Sequence, residues 1–231
     1  MTNKNVFLKK YFFMTRSEEN YLKIIFHLGG SDSTPITTNA IAEQMETKPS
    51  SVTDMAKKLA EKGLVNYKKY QGVSLTDQGT KTALSIIRKH RLWEVFLVKK
   101  LDFSWDEVHE VAEQLEHIKS EKLIDKIDEL LEFPKFDPHG DPIPSKDGKF
   151  MVRDKQLLSE MPIGGKGVCV GVKDSSAPFL KFLDKNKIAL GHTIQVLEIE
   201  DFDQSLHIAM EGRELHISHQ IASNLYVKKN E

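Results

Sequence analysis

The stretch from Thr37 to Leu75 constrains the fold most, because its helix breaks fall at fixed places. Thr37 to Met45 reads as a short helix with Ile41, Ala42 and Met45 on one side, and Glu46-Thr47-Lys48 interrupts it. Pro49 then stands at a first-turn position, where a missing N–H costs nothing. It opens a helix over Ser50 to Lys62 with Val52, Met55, Ala56 and Leu59 inward. Gly63 ends that helix, as glycine commonly does. Leu64-Val65-Asn66-Tyr67, Gln71-Gly72 and Val73-Ser74-Leu75 follow as a β-hairpin. Upstream, Ser17 to Leu28 has Tyr21, Leu22, Ile24, Ile25 and Leu28 at helical spacing, stopped by Gly29-Gly30. Helix, short helix, turn, helix and hairpin make a winged helix-turn-helix.

In such a module the second helix of the turn motif enters the major groove with its N-terminal residues toward base edges. Its exposed side here supplies Lys48, Ser50, Ser51, Thr53, Asp54, Lys57 and Lys58, with Thr37 joining from the head of the preceding helix. The hairpin adds Lys68, Lys69 and Tyr70, a wing able to follow phosphates. Helix-turn-helix geometry also serves protein-interaction modules, so the pattern alone leaves both readings open. The chain's formal net charge is -1, so binding to DNA has to come from a local basic surface.

A long helix from Asp77 to about Lys100 carries His90 and Glu94 at i,i+4. Ser104-Trp105-Asp106-Glu107 is a capping-box pattern that opens a second helix bearing His109, Glu113, Glu116 and His117. At 100° per residue these four occupy about a quarter of the helix circumference, beside the stripe of Val108, Val111, Leu115 and Ile118. Glu113 and Glu116, at i,i+3, repel unless something positive lies between them. Converging imidazole and carboxylate without thiolate is what Mn²⁺ or Fe²⁺ accepts. The competing reading is a solvated Glu-rich face, and it weakens because two helices repeat the chemistry. A third helix, Ser120 to Leu131, has apolar Leu123, Ile124, Ile127, Leu130 and Leu131. Three such helices suggest a dimerisation bundle, and a homodimer suits two-fold reading of a palindromic DNA site.

Phe133 to Phe150 is rich in proline and glycine and reads as a stiff, extended connector. Beyond Met161 the pattern turns to short strands, Gly167 to Val172, Thr193 to Glu200, Leu206 to Met210 and Leu215 to Ser218, interrupted by a helix over Pro178 to Asn186. This suggests a small SH3-like barrel. The expected fold class is mainly α with a small β domain. Its expected domains are a DNA-binding domain over 14–76, a helical metal-binding and dimerisation domain over 77–144, a linker over 145–160 and the barrel over 161–231. Cys169 is the single cysteine, which excludes an internal disulfide and a Cys-rich zinc site; its apolar neighbours suggest a buried structural thiol. No apolar run approaches the ~20 residues that span a membrane. Met1 to Phe13 is too short in its apolar part for a signal peptide. A reducing cytoplasm is the expected compartment, with Met14 an alternative start.

Taken in order, these pieces resemble the diphtheria toxin repressor / manganese transport regulator family of metal-dependent transcription factors. The resemblance runs from about Met14 to the C-terminus. It rests on Ser17-Glu18-Glu19-Asn20-Tyr21-Leu22, Lys48-Pro49-Ser50-Ser51-Val52-Thr53, Leu75-Thr76-Asp77-Gln78-Gly79, Arg88-Lys89-His90-Arg91-Leu92, Glu113 to His117 and Asp137-Pro138-His139-Gly140-Asp141-Pro142-Ile143-Pro144. The C-terminal segment is similar to the family's SH3-like domain, itself related to ferrous-transport accessory domains. The resemblance implies two metal sites per subunit. The primary one maps onto Asn20, Glu113, Glu116 and His117, and the ancillary one onto His90, Glu94 and His109, with Asp174 the nearest donor from the barrel.

Iron-responding members carry a thiol where Glu113 stands and a thioether where Asn20 stands, whereas manganese-responding members carry carboxylates at both. Glu113 follows the manganese pattern; Asn20 offers a neutral amide oxygen. Lys23 occupies a position where some manganese regulators place another carboxylate, which favours two separated sites. The expectation is a homodimeric repressor of metal-uptake genes that binds palindromic DNA when filled with Mn²⁺ or Fe²⁺, with no membrane partner and no small organic substrate. An enzyme using the same ligands is the rival. Against it, His109-Glu110 lacks the second histidine of a zincin helix, and Gln114 stands where a di-iron Glu-x-x-His pair needs glutamate. A metal-transport accessory role would leave the helix-turn-helix unexplained.

Overall fold

Thr15 opens the first helix, α1 (Arg16–Gly29), with a reciprocal capping box: its hydroxyl accepts the Glu18 N–H and the Glu18 carboxylate accepts the Thr15 N–H. The computed structural model describes residues 14–30 and 34–229. Met1 to Phe13, weighed above as a signal peptide, lies outside the described residues. The chain divides into two units, Met1–Ile87 and Arg88–Glu231.

In the first unit α1 is followed by α2 (Thr38–Gln44), α3 (Pro49–Glu61), β1 (Val65–Lys68) and β2 (Gly72–Leu75). Pro49 occupies the first turn of α3, as its fixed φ and missing N–H permit. β1 and β2 pair antiparallel with Val65 opposite Leu75, and Ile36 bridges to Val73. Leu22, Ile41, Val52, Leu59 and Val73 are buried together, each full burial contributing about 2 kcal/mol. The winged helix-turn-helix is therefore present with its apolar faces inward. Helix α4 (Asp77–Leu101) begins in this unit and runs past its boundary.

In the second unit, α5 (Val108–Leu115) and α6 (Glu121–Leu130) pack on α4 around Leu92, Val95, Ala112, Ile124 and Ile127. α5 is shorter than its sequence pattern. Trp105 to Glu107 form a turn, and Glu116 and His117 lie just beyond the helix end. Ser120 caps α6 by accepting the Leu123 N–H, so the chain must leave one helix before starting the next.

The proline-rich segment is held rather than free. Arg88 donates to the Pro144 carbonyl and pairs with Asp128 at 2.6 Å, while Arg91 donates to the Pro142 carbonyl and faces Asp137 and Asp141.

The C-terminal part is a six-stranded antiparallel sheet in the order β3-β8-β4-β5-β6-β7. Its strands are β3 (Gln156–Leu157), β4 (Lys166–Val172), β5 (Thr193–Ile199), β6 (Leu206–Met210), β7 (Arg213–Ile217) and β8 (Leu225–Lys229). Helices α7 (Ala177–Lys185) and α8 (His219–Ala222) join them. Leu158, Leu180, Ile194, Ile208, Leu225 and Val227 fill the core, with Cys169 buried among them. β3 falls inside the stretch expected as linker, and β8 was not foreseen. No helix among the described residues is long and apolar enough to cross a membrane.

Candidate metal centre and nucleic-acid interface

His90 and Glu94 sit one turn apart on α4, against the face of α5 that carries His109 and Glu113. His90 Nδ1 lies 2.6 Å from Glu116 Oε2, and its Nε2 lies 3.0 Å from Glu94 Oε1. His109 faces Glu94 at 3.5 Å and Glu113 at 3.8 Å, and its ring meets that of His90 edge-on, 4.9 Å between centroids. Glu116 also faces His117 at 3.8 Å. Six of the residues assigned to two sites, His90, Glu94, His109, Glu113, Glu116 and His117, thus form one connected network. Within it His90, His109 and Glu113 each offer a donor atom within 4.8 Å of the others.

A second donor group, Glu94, Asp137 and His139, is buried throughout and meets the same spacing. Asp137 and His139 were not foreseen as ligands. They lie in a segment without helical or strand periodicity, and their sequence signals are the Asp-x-His spacing and their place in the Asp137 to Pro144 motif that carries the family resemblance. The fold builds the loop tightly. Asp137 Oδ1 accepts the His139 and Asp141 N–H groups at 2.9 Å each. The His139 Nε2 lies 2.8 Å from the Trp105 carbonyl, so Nε2–H donates there and Nδ1, 3.7 Å from Glu94, is the nitrogen a cation would take on displacing its proton. The Trp105 indole in turn donates to Asp184 on α7 at 3.0 Å. Gly140, at φ +89°, sits where a Cβ would fall 2.1 Å from the Val170 carbonyl oxygen of β4.

Electrostatics mark this group. Burial opposes ionisation of Glu94, but hydrogen bonds from His109, His139 and His90 outweigh it and hold its carboxyl well below the usual range. Burial and then the charges of Glu94 and Asp141 push Asp137 up to about 7, against Arg91 and His139. Burial opposes protonation of His139, yet bonding to Glu94 raises it to about 9. A dense set of carboxylates and imidazoles, its charges balanced by protons and Arg91, is one that a divalent cation fits in place of those protons.

The remaining candidates are not members of these groups. Asp174 accepts the Ser176 N–H at 2.8 Å and belongs to neither donor group. Asn20 lies on α1 in the first unit; its Oδ1 is buried without a hydrogen-bond partner among the described residues.

On the helix-turn-helix, Lys48, Ser50, Ser51, Asp54, Lys57 and Lys58 are exposed and Thr53 is half-buried. Lys68, Lys69 and Tyr70 are exposed on the hairpin, with the Lys69 ammonium 4.9 Å from the Tyr70 ring centre. Five lysines against one aspartate give this surface the positive sign that the whole chain lacks. Some of these groups also serve the fold. Thr37 caps α2 by accepting the Ala40 N–H, the Thr53 hydroxyl donates back to the Pro49 carbonyl, and Lys58 reaches the buried Glu18 at 3.1 Å.

Three family models match the chain. They are an iron dependent repressor N-terminal DNA binding domain over residues 13–73, an iron dependent repressor metal binding and dimerisation domain over 76–145, and a FeoA domain over 156–229. An HTH-type transcriptional regulator of Methanocaldococcus jannaschii is 37% identical over 119 residues, covering 52% of this chain and 95% of the relative. The iron-dependent repressor IdeR of Mycobacterium leprae is 33% identical over 126 residues, 54% of either chain. A probable metal transport system membrane protein of Chlamydia trachomatis is 33% identical over 148 residues, 62% of this chain and 33% of that protein. The chain thus spans about half of the mycobacterial repressor and a third of the chlamydial protein. A solved manganese-dependent transcriptional repressor in complex with manganese superposes with a TM-score of 0.82 at 33% identity, over 92% of this chain and all of that one. With a winged helix-turn-helix, a buried carboxylate–imidazole centre and a FeoA-type sheet in that order, the chain belongs to the iron-dependent repressor family, whose members are transcriptional repressors rather than enzymes.

Proposed function

We propose that this chain is a homodimeric repressor that binds palindromic operators of metal-uptake genes in the cytoplasm when filled with Mn²⁺, or alternatively Fe²⁺. The observation that carries the reading is the donor network of α4, α5 and the Asp137–His139 loop, in a chain that also bears a basic helix-turn-helix. A bound divalent ion would take the place of the protons that these carboxylates and imidazoles share. Glu94, Asp137 and His139 would hold one ion, and the Trp105 carbonyl fixes the His139 tautomer that leaves Nδ1 as donor. Glu113, Glu116 and His117 would hold the other. The family resemblance adds Asn20 to that second set, and an amide oxygen buried without a partner suits the role.

Manganese is preferred because the donors are oxygen and imidazole, with no thiolate among them. The solved relative that holds manganese supports the same choice. Lys48, Lys57, Lys68 and Lys69 would neutralise phosphates, while Ser50, Ser51 and Asp54 at the start of α3 would face base edges.

The test is operator binding by fluorescence anisotropy. Sites selected from random duplexes by the metal-filled protein are compared with and without Mn²⁺. Strong binding only with metal supports the reading, and equal affinity after rigorous chelation removes it. Glu113→Ala and His117→Ala should abolish the metal response while the protein stays dimeric.

A further inference from the structure

The outward face of the C-terminal sheet carries a second imidazole–carboxylate cluster that shares no residue with the helical centre. His207 on β6 stands directly opposite His216 on β7. Their rings stack with centroids 4.2 Å apart and planes 7° from parallel. Glu214 Oε2 lies 3.0 Å from His207 Nε2. From the other side, Glu198 on β5 stands directly opposite His207.

That last placement depends on an irregularity. Val196 pairs with Ile208, but the register shifts before Glu198, so Leu197 is the extra residue of a bulge. Without it Leu197 would stand opposite His207. With it an exposed carboxylate does, and directly opposed residues share a face of the sheet. The flanking Leu206, Ile208 and Ile217 point into the core, which leaves the histidine row on the solvent side.

We propose that His207 and His216, oriented by Glu214 and joined by Glu198, bind a borderline divalent transition ion, Zn²⁺ foremost. The tautomer is set as a metal ligand requires. The Glu214 carboxylate can only accept, so His207 Nε2 carries the proton and Nδ1 presents its lone pair. His216 supplies the second nitrogen. Two imidazole nitrogens on one tetrahedral zinc lie about 3.3 Å apart, given Zn–N distances near 2.0–2.1 Å. Rings stacked 4.2 Å apart and nearly parallel hold their in-plane lone pairs side by side, so uptake of an ion would open the stack by turning the rings about Cβ–Cγ until both nitrogens face it. Two imidazoles and a carboxylate leave a fourth position open to water, a set that suits Zn²⁺ better than the harder Mn²⁺.

The full-length protein, stripped of metal, is titrated with Zn²⁺ by calorimetry beside the His207→Ala/His216→Ala double variant. The variant should take up one zinc equivalent fewer while its Mn²⁺ isotherm is unchanged. Glu214→Gln should weaken that equivalent by roughly ten- to a hundredfold, as loss of a carboxylate behind a ligating histidine does. Equal zinc uptake by both proteins overturns the proposal and leaves a cross-strand stacking pair. So does the absence of zinc-induced shifts in the His207 and His216 imidazole signals of the unsubstituted chain, a measurement that needs no variant to fold.

Discussion

Glu18 has two roles in the first helix, and both need its charge. It completes the capping box with Thr15, and from a fully buried position it accepts Lys62 at 2.6 Å and Lys58 at 3.1 Å. Burial works against ionisation, but Lys62, the Thr15 N–H and Lys58 outweigh it and bring its pKa from 4.5 to about 2. The folded value lies below the unfolded one. The stabilisation is therefore complete above pH 4.5 and is lost as pH falls toward 2. Glu18→Gln should cost about 2 kcal/mol at neutral pH. It should also flatten that acid limb of stability, as read by urea unfolding across the pH range. His139→Ala should lower Mn²⁺ affinity at least about tenfold in calorimetry, because it removes both a donor and the link to the Trp105 carbonyl. Unchanged affinity would take His139 out of the centre. At this scale the sequence was only partly readable. Histidines and glutamates at helical spacing stand out by period, whereas Asp137 and His139 converge on Glu94 only through a loop held by Arg88, Arg91 and Gly140.

The helices and the wing were legible because their signals are local. Pro49 and the apolar positions of α3 mark that helix, and the Gln71-Gly72 turn marks the hairpin. β3 and β8 were not. β3 has two residues, and β8 ends in Lys228-Lys229; what makes each a strand is its neighbour across the sheet. The shortening of α5 has the same character, since Glu116 and His117 continue a helical pattern in sequence but occupy the turn that leads to the Ser120 cap. Elements fixed by partners are also where substitution is most telling. Gly140 meets β4 so closely that a methyl group would fall 2.1 Å from the Val170 oxygen and 2.5 Å from the Gly171 Cα, at a φ that disfavours side chains. Gly140→Ala should cost about 3 kcal/mol in chemical denaturation. It should also loosen metal retention, because His139 precedes it directly and its carbonyl accepts the Val172 N–H at 3.0 Å. A variant with full stability would show that the loop can move off β4 without loss.

For the whole molecule, repression requires that metal and DNA favour the same arrangement, and thermodynamics makes that favour reciprocal. If filling the metal sites strengthens operator binding by some factor, operator must strengthen metal binding by the same total factor, typically about 5- to 150-fold. The lysines that meet phosphate and the donors that hold metal are different residues, so the two contributions separate by mutation. Lys57→Ala, on the exposed face of α3, should reduce the salt dependence of operator binding by about one counterion while leaving the metal response intact. Glu113→Ala should do the reverse, preserving the salt slope and abolishing the coupling. The check is to measure Mn²⁺ affinity with and without operator, and operator affinity with and without Mn²⁺, for the natural chain and both variants. In the natural chain and Lys57→Ala the two ratios should agree and exceed one; in Glu113→Ala both should fall to one. Operator affinity that rises with metal, without a matching rise of metal affinity on DNA, would mean that metal acts on something other than the DNA-binding form, such as the dimer equilibrium. That would break the link between the buried centre and the helix-turn-helix.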